Sequence, residues 1–98
     1  MTAYVIFLRE EPVRDAGAIA EYQRRTRENK GDFKLKPLSV YGALEALEGD
    51  PPDGVVLLEF PTVADAKAWY NSPGYQAAVP YRLKGAAYRA VIVQGLSS

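Results

Sequence analysis

The chain has 98 residues, 48% apolar and 24% charged, with twelve basic and twelve acidic side chains that cancel, and it contains neither cysteine nor histidine. That length holds one domain, residues 1–98, and the balanced charge offers no field to attract nucleic acid or an anionic membrane, so neither is an expected partner. The two missing residue types remove disulfides, thiolate nucleophiles, the common zinc and haem ligands and the usual general base near neutral pH, so no metal, haem or other cofactor is expected.

Ala3-Tyr-Val-Ile-Phe-Leu8 is β-branched and aromatic and reads as a first strand. Asp15 is a candidate N-cap for a helix running to about Lys30, with Ala16, Ile19, Ala20, Tyr22 and Thr26 forming its inner stripe. Arg24, Arg25, Arg27 and Lys30 suit the negative end of its dipole, and Gly31 is a natural terminator. Because Glu21 and Glu28 are interleaved with them, the basic cluster reads as a solvated helix end rather than an anion site. Phe33 to Leu47 reads as a long second strand, placed at an edge or bulged because Pro37 has no N–H to donate. Lys34 and Lys36 on one side of it would discourage edge-to-edge aggregation.

Glu48-Gly-Asp-Pro-Pro-Asp-Gly54 is a turn by composition, and Val55 to Phe60 is a third strand. Thr62 and Asp65 form a T-x-x-D capping pattern that starts a second helix after Pro61. Ser72-Pro73 caps a further short turn, and Tyr88 to Val93 is the last strand. The order β-α-β-β-α-β predicts an α+β, ferredoxin-like fold: a four-stranded antiparallel sheet with two main helices on one face. No apolar run approaches the roughly 18 to 20 residues of a spanning helix, and no signal-peptide pattern opens the chain, so a cytoplasmic location is expected.

Strand parity adds a clue. Ala3, Val5 and Phe7 alternate with Tyr4, Ile6 and Leu8, and Val55 and Leu57 alternate with Val56, Leu58 and Phe60, so both sheet faces are apolar. Two helices cover one face only. The simplest cover for the other is a second copy of the same sheet, which predicts a two-fold homodimer built as a dimeric α/β barrel.

Chemistry has to come from Tyr, Arg, Ser, Asp and Glu. Trp69 stands three and seven residues after Ala66 and Thr62, the spacing of a core anchor. Tyr70 and Tyr75 flank the Asn71-Ser72-Pro73-Gly74 turn, where their hydroxyls can reach a ligand, although a bond to a backbone carbonyl is the more usual fate. Arg82 follows Pro80-Tyr81 in an otherwise apolar stretch and suits a bidentate grip on a carboxylate; the competing reading is an internal salt bridge to Glu59 or Asp65. Glu59 ends an apolar strand as a candidate proton acceptor or partner of an arginine. Tyr41 and Ser39 fall on one side of the second strand and can line the same space. The candidate ligand-binding set is therefore Tyr41, Glu59, Tyr70, Tyr75 and Arg82.

Ala3-Tyr4, Leu47-Glu-Gly-Asp50, Glu59-Phe-Pro61, Ala66…Trp69-Tyr70-x-Ser72-Pro73-x-Tyr75-Gln-Ala-Ala78-x-Pro80-x-Arg82 and Val91-Ile-Val-Gln-Gly95 together resemble the family called domain of unknown function 1330. The resemblance spans nearly the whole chain, and Tyr-x-Ser-Pro-x-Tyr-Gln is its most specific block. It implies a dimeric α/β barrel of ferredoxin-like subunits and supplies no reaction. The sequence departs from that pattern at Val40-Tyr41-Gly42, where relatives tend to have a basic residue and paired glycines. Three functions stay open: binding of a small carboxylate or aromatic molecule between sheet and helices, a cofactor-free isomerase or oxygenase acting on a small aromatic or keto acid, and a structural dimer without ligand. The missing His and Cys favour binding over catalysis.

Overall fold

The computed structural model of the protein describes residues 2–28 and 33–96. Four strands, β1 (Ala3–Arg9), β2 (Lys36–Val40), β3 (Gly54–Phe60) and β4 (Tyr88–Gln94), form an antiparallel sheet in the order β2-β3-β1-β4. Three helices, α1 (Ala16–Glu28), α2 (Val63–Tyr70) and α3 (Pro73–Gly85), complete the described fold, which is α+β and ferredoxin-like as the element order predicts.

Register decides which side chains share a face. Val5 pairs with Leu58 and Ile92, and Phe7 with Val56 and Ala90, so these point to one side. There Val5, Phe7, Leu58 and Phe60 join Ala66, Trp69 and Tyr75 from the helices in one core, with Tyr22 packed against it. Trp69 is the anchor its spacing predicts: its ring centroid lies 4.2 Å from Tyr75, 5.4 Å from Phe60 and 6.3 Å from Phe7. The other side carries Tyr4, Ile6, Leu8, Val55, Leu57, Val91 and Val93. It stays apolar as parity requires, with Val91 and Val93 close to half exposed.

Local rules account for the helix starts. Asp15 Oδ1 accepts the Ala18 N–H at 3.0 Å, and Thr62 Oγ1 accepts the Asp65 N–H at 3.0 Å. The basic end of α1 is a solvated network in which Arg24 bonds Glu21 and Glu28 and Arg25 bonds Glu21. Lys30 and Gly31, expected to finish the helix, lie outside the described residues.

Two expectations need correction. The second strand spans only Lys36–Val40 rather than Phe33 to Leu47. It lies at the sheet edge with a register shift between Pro37 and Ser39, as the missing proline N–H demands, and then stops because Tyr41 turns into the left-handed region at φ 52°. The short turn at Ser72 is in fact the start of the 13-residue helix α3. Pro73 occupies its first turn without cost, while Pro80 forfeits the bond to the Gln76 carbonyl. Tertiary packing carries the helix past that gap: Tyr75, Ala78, Arg82 and Gly85 recur at three- and four-residue steps and are all buried.

Gly85 marks the closest approach of α3 to α1, since a Cβ there would collide with the Ile19 side chain and stand 3.2 Å from its backbone nitrogen. Gly85→Ala should therefore destabilise the protein by about 1–3 kcal/mol through overpacking, read as a lower urea midpoint with an unchanged slope.

Candidate functional site

The inward stripe of α3 carries a charged group into the core. Arg82 is 4% exposed, and among the described residues it forms no ion pair. Its guanidinium carbon lies 5.2 Å from the ring centre of Phe7, 5.2 Å from that of Tyr88 and 5.9 Å from that of Tyr22. Its Nε is fully buried with no hydrogen-bond partner. The expected salt bridge to Glu59 or Asp65 does not form. Glu59 pairs in register with Tyr4 and Lys36 on the opposite side of the sheet, and Asp65 is exposed in the first turn of α2.

Four tyrosines surround this cation as two hydroxyl pairs. Tyr22 and Tyr75 meet hydroxyl to hydroxyl at 2.8 Å, and Tyr41 and Tyr88 at 2.6 Å. Tyr75 thus bonds another side chain rather than a backbone carbonyl. Burial pushes the pKa of Tyr22 well above the ordinary phenol range, and its neighbour Tyr75 adds to the effect. Burial also raises Tyr75, although its bond to Tyr22 and both the positive charge of Arg82 and a hydrogen bond from its guanidinium oppose the rise. Tyr41 is raised by burial and by its bond to Tyr88. These hydroxyls are hydrogen-bond donors at neutral pH, not bases.

Tyr41 is held from several directions. Its amide donates to the Val55 carbonyl at 2.9 Å, and the Arg9 guanidinium lies 4.5 Å over its ring. Its Cδ1 would stand only 2.7 Å from a Cβ at Gly54, so glycine is needed there for the ring to lie down. Arg9 is itself bound to Asp53 at 2.7 Å; burial alone would lower its pKa, but bonds to Tyr88 and Asp53 outweigh this and raise it. A left-handed backbone at a bulky residue costs on the order of 1–3 kcal/mol and persists only where the surroundings enforce it.

Between sheet and helices these groups enclose a cavity of about 110 Å³ lined by Phe7, Tyr22, Tyr41, Trp69, Arg82 and Tyr88, among others. Of the sequence candidates, Tyr41 and Arg82 line it, and Tyr75 reaches it through Tyr22. Tyr70 stacks on Tyr75 at 5.4 Å but lines a separate groove of about 310 Å³ beside β4. Ser39 and Tyr41, expected to share a side, part company because the left-handed turn at Tyr41 breaks the alternation. Ser39 pairs with Leu57 on the open face, while Tyr41 joins Val40 at the cavity. Tyr22, Tyr88 and Arg9 escaped sequence reasoning. Tyr22 was legible only as part of an apolar stripe, and Tyr88 gains its meaning from its register opposite Arg9. Among the described residues no group of three or more Asp, Glu, His or Cys could hold a metal ion, and no helix is long and apolar enough to cross a membrane.

The model of the family described as domain of unknown function (DUF1330) matches residues 2–96, and the chain belongs to that family. No curated protein matches it. Among solved structures, a protein of unknown function from Rhodopseudomonas palustris is 21% identical with a TM-score of 0.75, covering 99% of this chain and 84% of that one. A dimeric ferredoxin-like protein of unknown function from Thermobifida fusca is 16% identical with a TM-score of 0.65, covering 95% and 90%. SnoaB, a cofactor-independent oxygenase from Streptomyces nogalater, is 9% identical with a TM-score of 0.58, covering 99% and 94%. At these identities the likeness extends to the fold and no further.

The tyrosine shifts set a pH dependence. A phenol whose folded-state pKa lies above its unfolded value of 10.0 is held protonated by the native state. Its contribution to stability is complete below about pH 10 and is lost as pH rises above it, by at most about 1.4 kcal/mol per pH unit for partly buried Tyr22 and less for Tyr41. Urea unfolding should show constant stability from neutral pH to about 10 and a steep decline beyond. Tyr22→Phe should flatten that decline, whereas an identical profile in the variant would show that the hydroxyl titrates freely in the folded state.

Proposed function

We propose that the protein binds a small organic anion in the cavity between sheet and helices, with Arg82 as the anchor, and that it works as a two-fold homodimer joined through the open sheet face. The observation that carries the binding reading is the guanidinium buried without a carboxylate among the described residues and with its Nε unpaired. Removing an ion from water costs several kcal/mol even after relaxation, and an orphaned buried donor costs about 1–3 kcal/mol more. Three ring faces at about 0.5–2 kcal/mol each offset part of this, but a ring offers no acceptor in line with Nε–H. A ligand carboxylate in the cavity supplies the counter-charge to the guanidinium.

Binding is favoured over catalysis because Tyr22 and Tyr41 are held protonated and no His or Cys exists to move a proton. The dimer reading rests on the apolar face formed by Tyr4, Ile6, Leu8, Leu57 and Val91. The dimeric protein from Thermobifida fusca lends it support by fold alone.

Thermal unfolding of the wild type should shift upward with millimolar small carboxylates, and Arg82→Met should abolish the shift while leaving the ligand-free protein within about 1 kcal/mol of wild type. An apolar residue of similar volume removes the buried charge and its unpaired donor together. If no acid moves the wild-type midpoint and Arg82→Met loses about 3 kcal/mol or more, Arg82 is a structural residue and the binding reading fails. Sedimentation at micromolar concentration should show a dimer, consistent with a buried interface above about 1,200 Å². A folded monomer would refute the proposed assembly.

A further inference from the structure

The geometry points to a short aliphatic monocarboxylate as the occupant of the Arg82 cavity, an inference that rests on the anion-binding reading above and narrows it. Three observations set the class.

The first is size. The cavity holds about 110 Å³. A dry cavity of about 150 Å³ is what admits benzene in a protein core. An aromatic acid adds a carboxylate to such a ring and would have to leave part of its ring outside the exposed rim at Gln23 and Val40, or displace Trp69, Phe7 or a tyrosine pair. Those groups are tied: Trp69 is 5% exposed and in contact with three rings, and each tyrosine pair is hydrogen-bonded. Close-packed aromatic walls resist such movement.

The second is charge. Arg82 brings one positive charge to the cavity, and the nearby cation Arg9 is already bound to Asp53 at 2.7 Å. A monoanion is neutralised there. A dicarboxylate or a phosphate dianion would leave one charge buried without a partner, which apolar surroundings penalise heavily.

The third is the character of the remaining wall. Val40, Val56 and Leu58 offer carbon to a ligand tail beside the aromatic rings, and the exposed Gln23 completes the wall with an amide at the rim. The hydroxyls are mostly consumed by one another. In each pair one O–H donates to the other oxygen, which leaves one proton per pair to give away. The Tyr22–Tyr75 pair lies against the guanidinium, so its free proton suits the second oxygen of the same carboxylate. A carboxylate head on Arg82 and Tyr22 with roughly two to four carbons against the apolar wall answers the buried charge and one free hydroxyl proton, as binding sites with few convergent polar groups do.

Calorimetric titration of the wild type with propionate, butyrate, octanoate, benzoate, succinate and inorganic phosphate tests this. Propionate and butyrate should bind most tightly, with the other four at least about tenfold weaker, and Tyr22→Phe should weaken propionate by about tenfold, one hydrogen bond to a charged group. Benzoate, octanoate, succinate or phosphate binding as tightly as propionate would overturn the size or charge argument while leaving an anion site in place. Propionate binding that survives in Arg82→Met would overturn the assignment of the head group. Absence of binding by all six would overturn both this inference and the reading beneath it.

Discussion

A guanidinium keeps its charge in a protein interior, so burying one obliges its surroundings to answer for it. Here the side chain is 4% exposed, and among the described residues what answers is a set of ring faces and hydroxyls rather than a carboxylate. Much of the helix layer follows from that constraint. α3 must persist past Pro80 to bring Arg82 inward, and Gly85 must be small for α1 to approach and deliver Tyr22. The register of β4 must place Tyr88 opposite Arg9 for the second hydroxyl pair to close.

The strained residue sits in the same network. Tyr41 adopts φ 52° at the end of β2, where a glycine would be unstrained, and its ring is trapped between Arg9 and Gly54. Such strain clusters where a side chain has to be aimed rather than merely packed. It turns Tyr41 off the strand and into the cavity, whereas continued alternation would have sent it towards the open face with Ser39.

Much of the fold was legible because local signals agreed with one another. The alternation in β1 and β3, the Thr62 cap and the Pro37 interruption all survive in the structure. The extent of α3 was not legible, because two prolines and a glycine argue against a helix and its inward stripe includes Arg82 and Gly85, residue types that do not mark a core. The site was half legible. Arg82 stands out as a charge in an apolar stretch, Tyr75 by flanking the Ser72-Pro73 turn and Tyr41 only by its side of the strand, but nothing along the chain shows that Arg82 meets rings and hydroxyls among the described residues. Glu59 was ruled out only by its parity on β3, which places it across the sheet from α3. Tyr22 and Tyr88 depend on tertiary register, which spacing along the chain does not encode.

The central claim is that Arg82 waits for an anion, and the most direct measurement is a crystal structure grown from propionate-containing solution. The account predicts a planar carboxylate in the cavity, with one oxygen about 2.7–2.9 Å from a terminal guanidinium nitrogen of Arg82, the distance of a charge-assisted hydrogen bond. A cavity without a bound anion under those conditions, with Nε bonded to a protein acceptor, would contradict it.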